Sequence, residues 1–169
     1  EYRYGTMEQR YIDILSTVKK RVSIPVIVKL ASNLSNPIAL INQLHANGAG
    51  GVVLFNRFYQ ADINIKTLEY TTADVFSNGS ELSNGLRWAA IASGELPKQD
   101  FAISGGVNSG AAIIKSILAG AAAVELCSVI YKKGNDEIDK MIADTSSWMD
   151  SKGYENIGQF KGLMNLKAD

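Results

Sequence analysis

The sequence predicts an α/β protein built on a parallel sheet, and three observations lead there. Four short, nearly continuous apolar runs rich in β-branched residues recur along the chain, a helix-period segment follows each one, and Gly, Asn and Ser cluster at the junctions. Strands of that kind alternating with helices imply parallel pairing with both sheet faces covered.

The chain opens with a helical segment at 6–22. Thr6 and Gln9 form a capping-box pattern, and Met7, Tyr11, Ile14, Leu15, Val18 and Val22 recur at helical spacing, so that face is expected to be buried. Pro25 introduces "VIVKL", a β-branched run at 26–30. "NLSNPIALINQLHANGA" follows as a turn into a helix at 37–47 that ends near Gly48. "GGVVLFNR" at 50–57 is the second strand, succeeded by a long polar connection of weak periodicity and a short helix, "LRWAAIASGEL", at about 86–93. "FAISGG" at 101–106 gives a third strand and "SGAAIIKSILAG" a third helix of the alternation. "AAAVELCS" is the fourth strand and "DEIDKMIADTSSWMDSKG" the final helix. The order is βαβαβαβα behind one leading helix.

Each strand carries a polar residue toward its C-terminal end: Lys29, Asn56, Ser104 and, just past Leu126, Ser128. That pattern suits a (β/α) barrel, whose chemistry sits at that rim; a doubly wound sheet is the alternative. A complete barrel takes about 250 residues, and four βα units make half of one. The chain is therefore expected to be a single half-barrel domain over 1–169, corresponding to the second half of the fold.

Composition narrows the function classes. A hydrophobic content of 46% with 20% charged residues over 169 positions is that of a globular domain with a real core, not of a disordered or fibrous chain. Basic and acidic residues number 17 each, so no global field draws the chain to nucleic acid or an anionic membrane. No run approaches the roughly 20 apolar residues that span a bilayer, and "EYRYGTMEQR" lacks the regions of a signal peptide. That start also lacks an initiator methionine, as expected for a piece of a longer protein. The single cysteine, Cys127, excludes an internal disulfide and a multi-cysteine metal site, and fits a reducing cytoplasm. Its apolar run marks it as an inert core thiol.

Two neighbouring turns carry the clearest chemistry. After the third strand, Ser104, Gly105 and Gly106 let backbone approach a ligand, and the helix starting near Asn108 or Ser109 presents free N–H groups. After the fourth strand, Cys127 and Ser128 add a second set of backbone donors and a hydroxyl. Together they make a phosphate cup, in the place where barrels frequently bind phosphate; alone, the glycines could equally serve tight turns and packing. Lys29 ends an apolar strand and calls for an anionic or hydrogen-bonding partner, unless it snorkels to water. Asn56 can donate and accept at once, and Arg57 offers a fork for carboxylate or phosphate, or else ties down the long loop. His45, the only histidine, lies on a helix away from the rim as a surface or packing residue, so histidine or metal chemistry has little to draw on. Trp88 and Trp148 read as helix-packing aromatics, and Asp62, Glu69 and Asp74 as a solvated loop.

"IPVIVKL", "GAGGVVLFNRFYQADINI", "LRWAAIASG", "ISGGVNSGAAIIKSILAGAAAVELCS" and "YENIGQFKG", in this order, resemble the C-terminal half of the dihydroorotate dehydrogenase-like flavoproteins, over nearly the whole chain. The resemblance implies an FMN across the C-terminal mouth of a (β/α)8 barrel, exchanging hydride equivalents with a pyrimidine-like substrate in pyrimidine biosynthesis. It implies that Lys29 contacts the flavin ring, where a cation stabilises the reduced, anionic form. Asn56, with Arg57 beside it, would contact substrate, while Ser104, Gly105, Gly106, Cys127 and Ser128 would grip the FMN phosphate. The sequence departs from the family at three of these places. Cys127 and Ser128 stand where a glycine and a threonine are common, and Arg57 stands where true dihydroorotate oxidisers have a small hydroxyl residue. The family's catalytic base, a cysteine or serine of the first half, has no counterpart here, so no catalytic residue is assigned.

Three functions follow. The first is the FMN-binding part of an oxidoreductase, inactive without an N-terminal half and tending to self-associate or pair with that half through its open strand edges. The second is a non-redox, phosphate-binding half-barrel acting as an assembly module. The third is a phosphosugar isomerase or aldolase-like barrel with Lys29 as a Schiff-base lysine, for which the sequence offers no evident partner acid.

Overall fold

A computed structural model describes residues 5–166. The leading helix α1 (Thr6–Lys19) precedes β1 (Ile27–Ala31), α2 (Pro37–Ala46), β2 (Gly51–Asn56), a hairpin of β3 (Ala61–Asn64) and β4 (Glu69–Thr72), and α3 (Leu82–Glu95). Then come β5 (Phe101–Ser104), α4 (Gly110–Leu118), β6 (Ala123–Glu125), a short α5 (Ser128–Lys133) and α6 (Asp136–Lys152). The main sheet has the order β1-β2-β5-β6 with every pair parallel. The α/β class and the parallel sheet are thus as the sequence predicts. Among the described residues no helix is long and apolar enough to cross a membrane.

Parallel partners share a face, so the register sorts the side chains. Lys29 pairs with Val53, Val53 with Ala102 and Ala102 with Ala123; Ser104 pairs with Glu125. These residues occupy one face. The opposite face carries Leu30, Val52, Leu54, Phe101 and Ile103, all at 2% exposure or less, packed against the helices. Gly85 lets α3 lie close on that layer: a Cβ there would meet Ile103 Cγ2 at 2.9 Å. The expectation that both faces are covered is corrected here. On the first face Ile27, Lys29, Ala123 and Glu125 are exposed, because the helices all take the other side.

Five further expectations change. The leading helix is shorter than 6–22 and starts with Thr6 inside it, Gly5 taking the N-cap position. Its apolar face is mostly not buried: Leu15 is, but Met7, Ile14, Val18 and Val22 are exposed. The helix packs mainly on α2, and at the β1 edge the Tyr11 hydroxyl accepts from Ala31 N at 2.9 Å. The "polar connection" contains the β3–β4 hairpin, whose short strands alternate too weakly to read. α3 begins at Leu82 rather than near 86, launched by a capping box between Asn78 and Glu81. β6 is only three residues long, and Ser128 opens α5 instead of ending a strand.

The segment after α6 returns across the helices. Gly162 N and Met164 N donate to Ile117 O and Leu118 O, which supplies partners to carbonyls at the end of α4, and Leu166 N donates to Ala90 O of α3. Phe160 is fully buried there between Trp148 and Tyr154, so Trp148 is a packing aromatic, as is half-buried Trp88. His45 sits on α2, its ring nitrogen 2.9 Å from Gln99 Oε1.

Candidate functional site

All eight residues singled out from the sequence line one cavity of about 720 Å³ at the C-terminal ends of the strands: Lys29, Asn56, Arg57, Ser104, Gly105, Gly106, Cys127 and Ser128. Parallel pairing brings this about, since it points every strand's C-terminus the same way. The first sheet face, left open by the helices, forms the floor.

Lys29 Nζ lies 2.6 Å from Glu125 Oε2 and donates to Ser104 Oγ at 3.1 Å. Glu125 is therefore the acid that the sequence reading found lacking. It sits inside "AVELCS", an otherwise apolar stretch that hides it, although alternation alone puts it on the face opposite Val124. β1 and β6 are the two outer strands, three strand spacings or roughly 14 Å apart in a flat sheet. Their side chains meet because the sheet curls around this face.

Arg57 is committed to the loop above. Its Nε bonds Glu81 Oε2 at 2.9 Å, and its two terminal nitrogens donate to Val75 O at 3.0 Å and Asp74 O at 2.8 Å. That leaves the guanidinium holding the 73–81 segment over the cavity. Asn56, at the exposed end of β2, makes no side-chain hydrogen bond among the described residues.

The two turns are bridged by a residue that the sequence reading missed. Ser77 donates from both its N–H (2.9 Å) and its hydroxyl (3.0 Å) to Ser128 Oγ, and its hydroxyl accepts from Gly106 N at 3.4 Å. Gly105 and Gly106 both have left-handed backbone, φ +95° and +73°. A Cβ on Gly105 would meet nothing within 4 Å, whereas one on Gly106 would run into the Leu82 backbone. Cys127 is exposed in this wall, not a core thiol: β6 ends at Glu125, and the chain turns outward before α5. The first turn of α4 does not reach the cavity. Its lining stops at Val107, and Ser109 Oγ accepts from Ala112 N, capping its own helix.

Phe58, Tyr59, Phe76 and Tyr131 supply an aromatic side to the cavity; Phe76 and Tyr131 are 5.8 Å apart, with Lys132 Nζ 5.5 Å from the Phe76 ring. Scattered aromatics carry no period to reveal them: Phe58, Tyr59 and Phe76 lie in the polar connection and Tyr131 in the short α5. Among the described residues no group of three or more His, Cys, Asp or Glu is placed to hold a metal ion.

Fold and cavity together define a parallel α/β protein with polar groups and glycine-bearing turns gathered at the strand C-termini, the arrangement of many ligand-binding α/β proteins. Relatives give this class a more definite cast. The chain is 27% identical over 164 residues to the dihydroorotate dehydrogenase B (NAD(+)) catalytic subunit of Thermoplasma volcanium, covering 89% of this chain and 50% of that protein. It is 29% identical over 142 residues to the same subunit of Methanocaldococcus jannaschii, covering 81% and 45%. A shorter stretch of 62 residues is 32% identical to the dihydroorotate dehydrogenase (fumarate) of Lachancea kluyveri. No family model matches the chain. The chain is thus related to the dihydroorotate dehydrogenases and spans about half the length of the curated relatives it matches.

Proposed function

We propose that this chain is the C-terminal half-barrel of a dihydroorotate dehydrogenase-like oxidoreductase, one domain over 1–169, and that its cavity holds the phosphate and one ring edge of FMN. The observation that carries the reading is the convergence of both glycine- and serine-bearing turns, Lys29 and Asn56 on one aromatic-sided cavity. The residues fit the group. Gly105 has open space where a Cβ would stand, and Ser77 with Ser128 presents hydroxyls beside it. The volume of about 720 Å³ is that of a small-molecule site. Bound FMN would supply acceptance and return of a hydride equivalent from a dihydropyrimidine.

The chain's own residues bind and orient. Gly105, Gly106, Cys127 and Ser128 hold the phosphate, Lys29 lies along the ring, and Asn56 offers donor and acceptor to a pyrimidine-like substrate. Arg57 acts mainly by fixing the 73–81 segment. No residue here is assigned as the catalytic base; a complementary half-barrel, carried by further sequence or by a second chain, would provide it and cover the open sheet face. The Schiff-base reading gains nothing from Glu125, because an ammonium held in an ion pair is a poor nucleophile.

The test is an absorbance and fluorescence titration with FMN of the chain alone and of the chain mixed with a recombinant N-terminal half from a relative. Binding that tightens in the mixture, and weakens with Lys29→Ala, is expected. Absence of binding in both samples would overturn the FMN reading and leave a phosphate-binding assembly module as the alternative.

A further inference from the structure

We propose that Glu125 cancels the charge of Lys29 and so sets how strongly the cavity prefers an anionic over a neutral ring. This rests on the FMN reading, and goes beyond it by assigning a residue that selects between the two redox forms.

Lys29 Nζ is 2.6 Å from Glu125 Oε2, and the two side chains are 41% and 42% exposed. They stand open at the cavity floor, where a bound ring would cover them. Of the three ammonium donors, one faces Glu125 and one Ser104 Oγ, at 3.1 Å, which leaves one for a ligand. The cavity's other cation, Arg57, is paired with Glu81 at 2.9 Å. Both of these lining cations thus carry a carboxylate partner, and the floor offers a hydrogen bond without net positive charge.

A lone ammonium under a flavin would favour the reduced, anionic ring over the oxidised, neutral one. A paired ammonium does so less, and the difference grows once the ligand excludes water and the local dielectric falls. Glu125 is in this sense a positioning and charge-setting residue: it fixes where the ammonium points and removes most of its field. It holds the flavin's potential lower than Lys29 alone would set it.

Glu125→Gln keeps size and a hydrogen-bond acceptor while removing the charge. The expected result is a roughly tenfold rise in the affinity for dithionite-reduced FMN relative to that for oxidised FMN, equivalent to a rise of about 30 mV in the two-electron potential. Glu125→Asp should restore the wild-type ratio. A second measurement needs no flavin: labelling with an amine-acylating reagent, followed by peptide mass spectrometry. Lys29 should react several-fold more slowly than exposed Lys66 in the wild type and at the Lys66 rate in Glu125→Gln.

An unchanged ratio of reduced to oxidised affinity, or equal labelling of Lys29 and Lys66 in the wild type, would overturn the proposal. Failure of the wild type to bind oxidised FMN would overturn the cofactor reading instead. The labelling contrast then decides the charge-cancelling role alone, supporting it if present and refuting it if absent.

Discussion

Gly105→Ala and Gly106→Ala should behave as a matched pair with different outcomes. Both residues have positive φ, +95° and +73°, and placing an L-residue in left-handed backbone costs roughly 1–2 kcal/mol. At Gly105 that is the whole cost, since the new methyl meets nothing within 4 Å. At Gly106 the methyl would overlap Leu82 N and lie 2.9 Å from Asn78 O, both backbone atoms that cannot swing aside. Overpacking of that kind adds about 1–3 kcal/mol, for a total of about 2–5 kcal/mol. Against a typical stability of about 5–15 kcal/mol, Gly106→Ala is severe and Gly105→Ala modest. Urea unfolding followed by far-UV circular dichroism reads the difference as a shift in midpoint at constant slope. FMN titration supplies the converse: Gly105→Ala, still folded, pushes its methyl into the space that the proposed FMN reading gives to phosphate and should weaken binding. Equal destabilisation by the two substitutions would refute the claim that Gly106 is held by the start of α3.

Three further outcomes follow from the same backbone and side-chain geometry. Leu68 closes the β3–β4 hairpin at φ +58° with its side chain 84% exposed; Leu68→Asn, which tolerates that backbone, should slow hydrogen exchange of the hairpin amides severalfold while leaving the global midpoint alone. Gly120→Ala, at φ +109°, would put a methyl onto the Ser93 side chain and cost about 2–5 kcal/mol; adding Ser93→Gly should recover part of that loss, and strict additivity would speak against the contact. The hydrogen bond from Lys133 holds the Glu137 carboxyl below its usual range, aided by the charges of Lys133 and Lys140 and opposed by slight desolvation. A depressed carboxylate contributes stability above its unfolded pKa and loses it as pH falls through the folded value. Wild type should therefore exceed Glu137→Gln in stability at neutral pH, with the two denaturation midpoints converging in acid.

The parallel sheet was legible because its strands are β-branched runs bounded by Pro, Gly and Asn, signals strong enough to survive without tertiary context. The C-terminal strand ends were legible for a related reason: Lys29, Asn56 and Ser104 each interrupt an apolar run, and parallel pairing turns such interruptions into one cluster. What escaped depended on long-range geometry. Ser77 meets Ser128 across 51 positions and Lys29 meets Glu125 across 96, pairings that no local pattern encodes. Three residues misled, for opposite reasons. Cys127 sits in apolar sequence yet emerges into the cavity, because the strand stops two residues earlier; Ile14 and Val18 have core spacing yet face outward, because α1 has a single layer to pack on.

That one-sidedness bears directly on function. The helix-covered face of the sheet contains the fully buried residues, and it alone gives this chain a continuous core. The other face curls until side chains of the two outermost strands touch, and small residues at Ala102 and Ala123 leave room for them to do so. Ile27 stands on that face at 63% exposure, and burying such a side chain stabilises by about 1.5–3 kcal/mol. A cover over the concave face would therefore be favoured by the apolar part of the surface, while the Lys29–Glu125 pair would be driven into a drier setting where its charges interact more strongly. Assembly and electrostatics are then coupled at the same floor: whatever closes the sheet also strengthens the pairing of Lys29 with Glu125. Any FMN affinity measured on this chain alone should accordingly be a lower limit, with a redox preference closer to that of free flavin than the covered site would show.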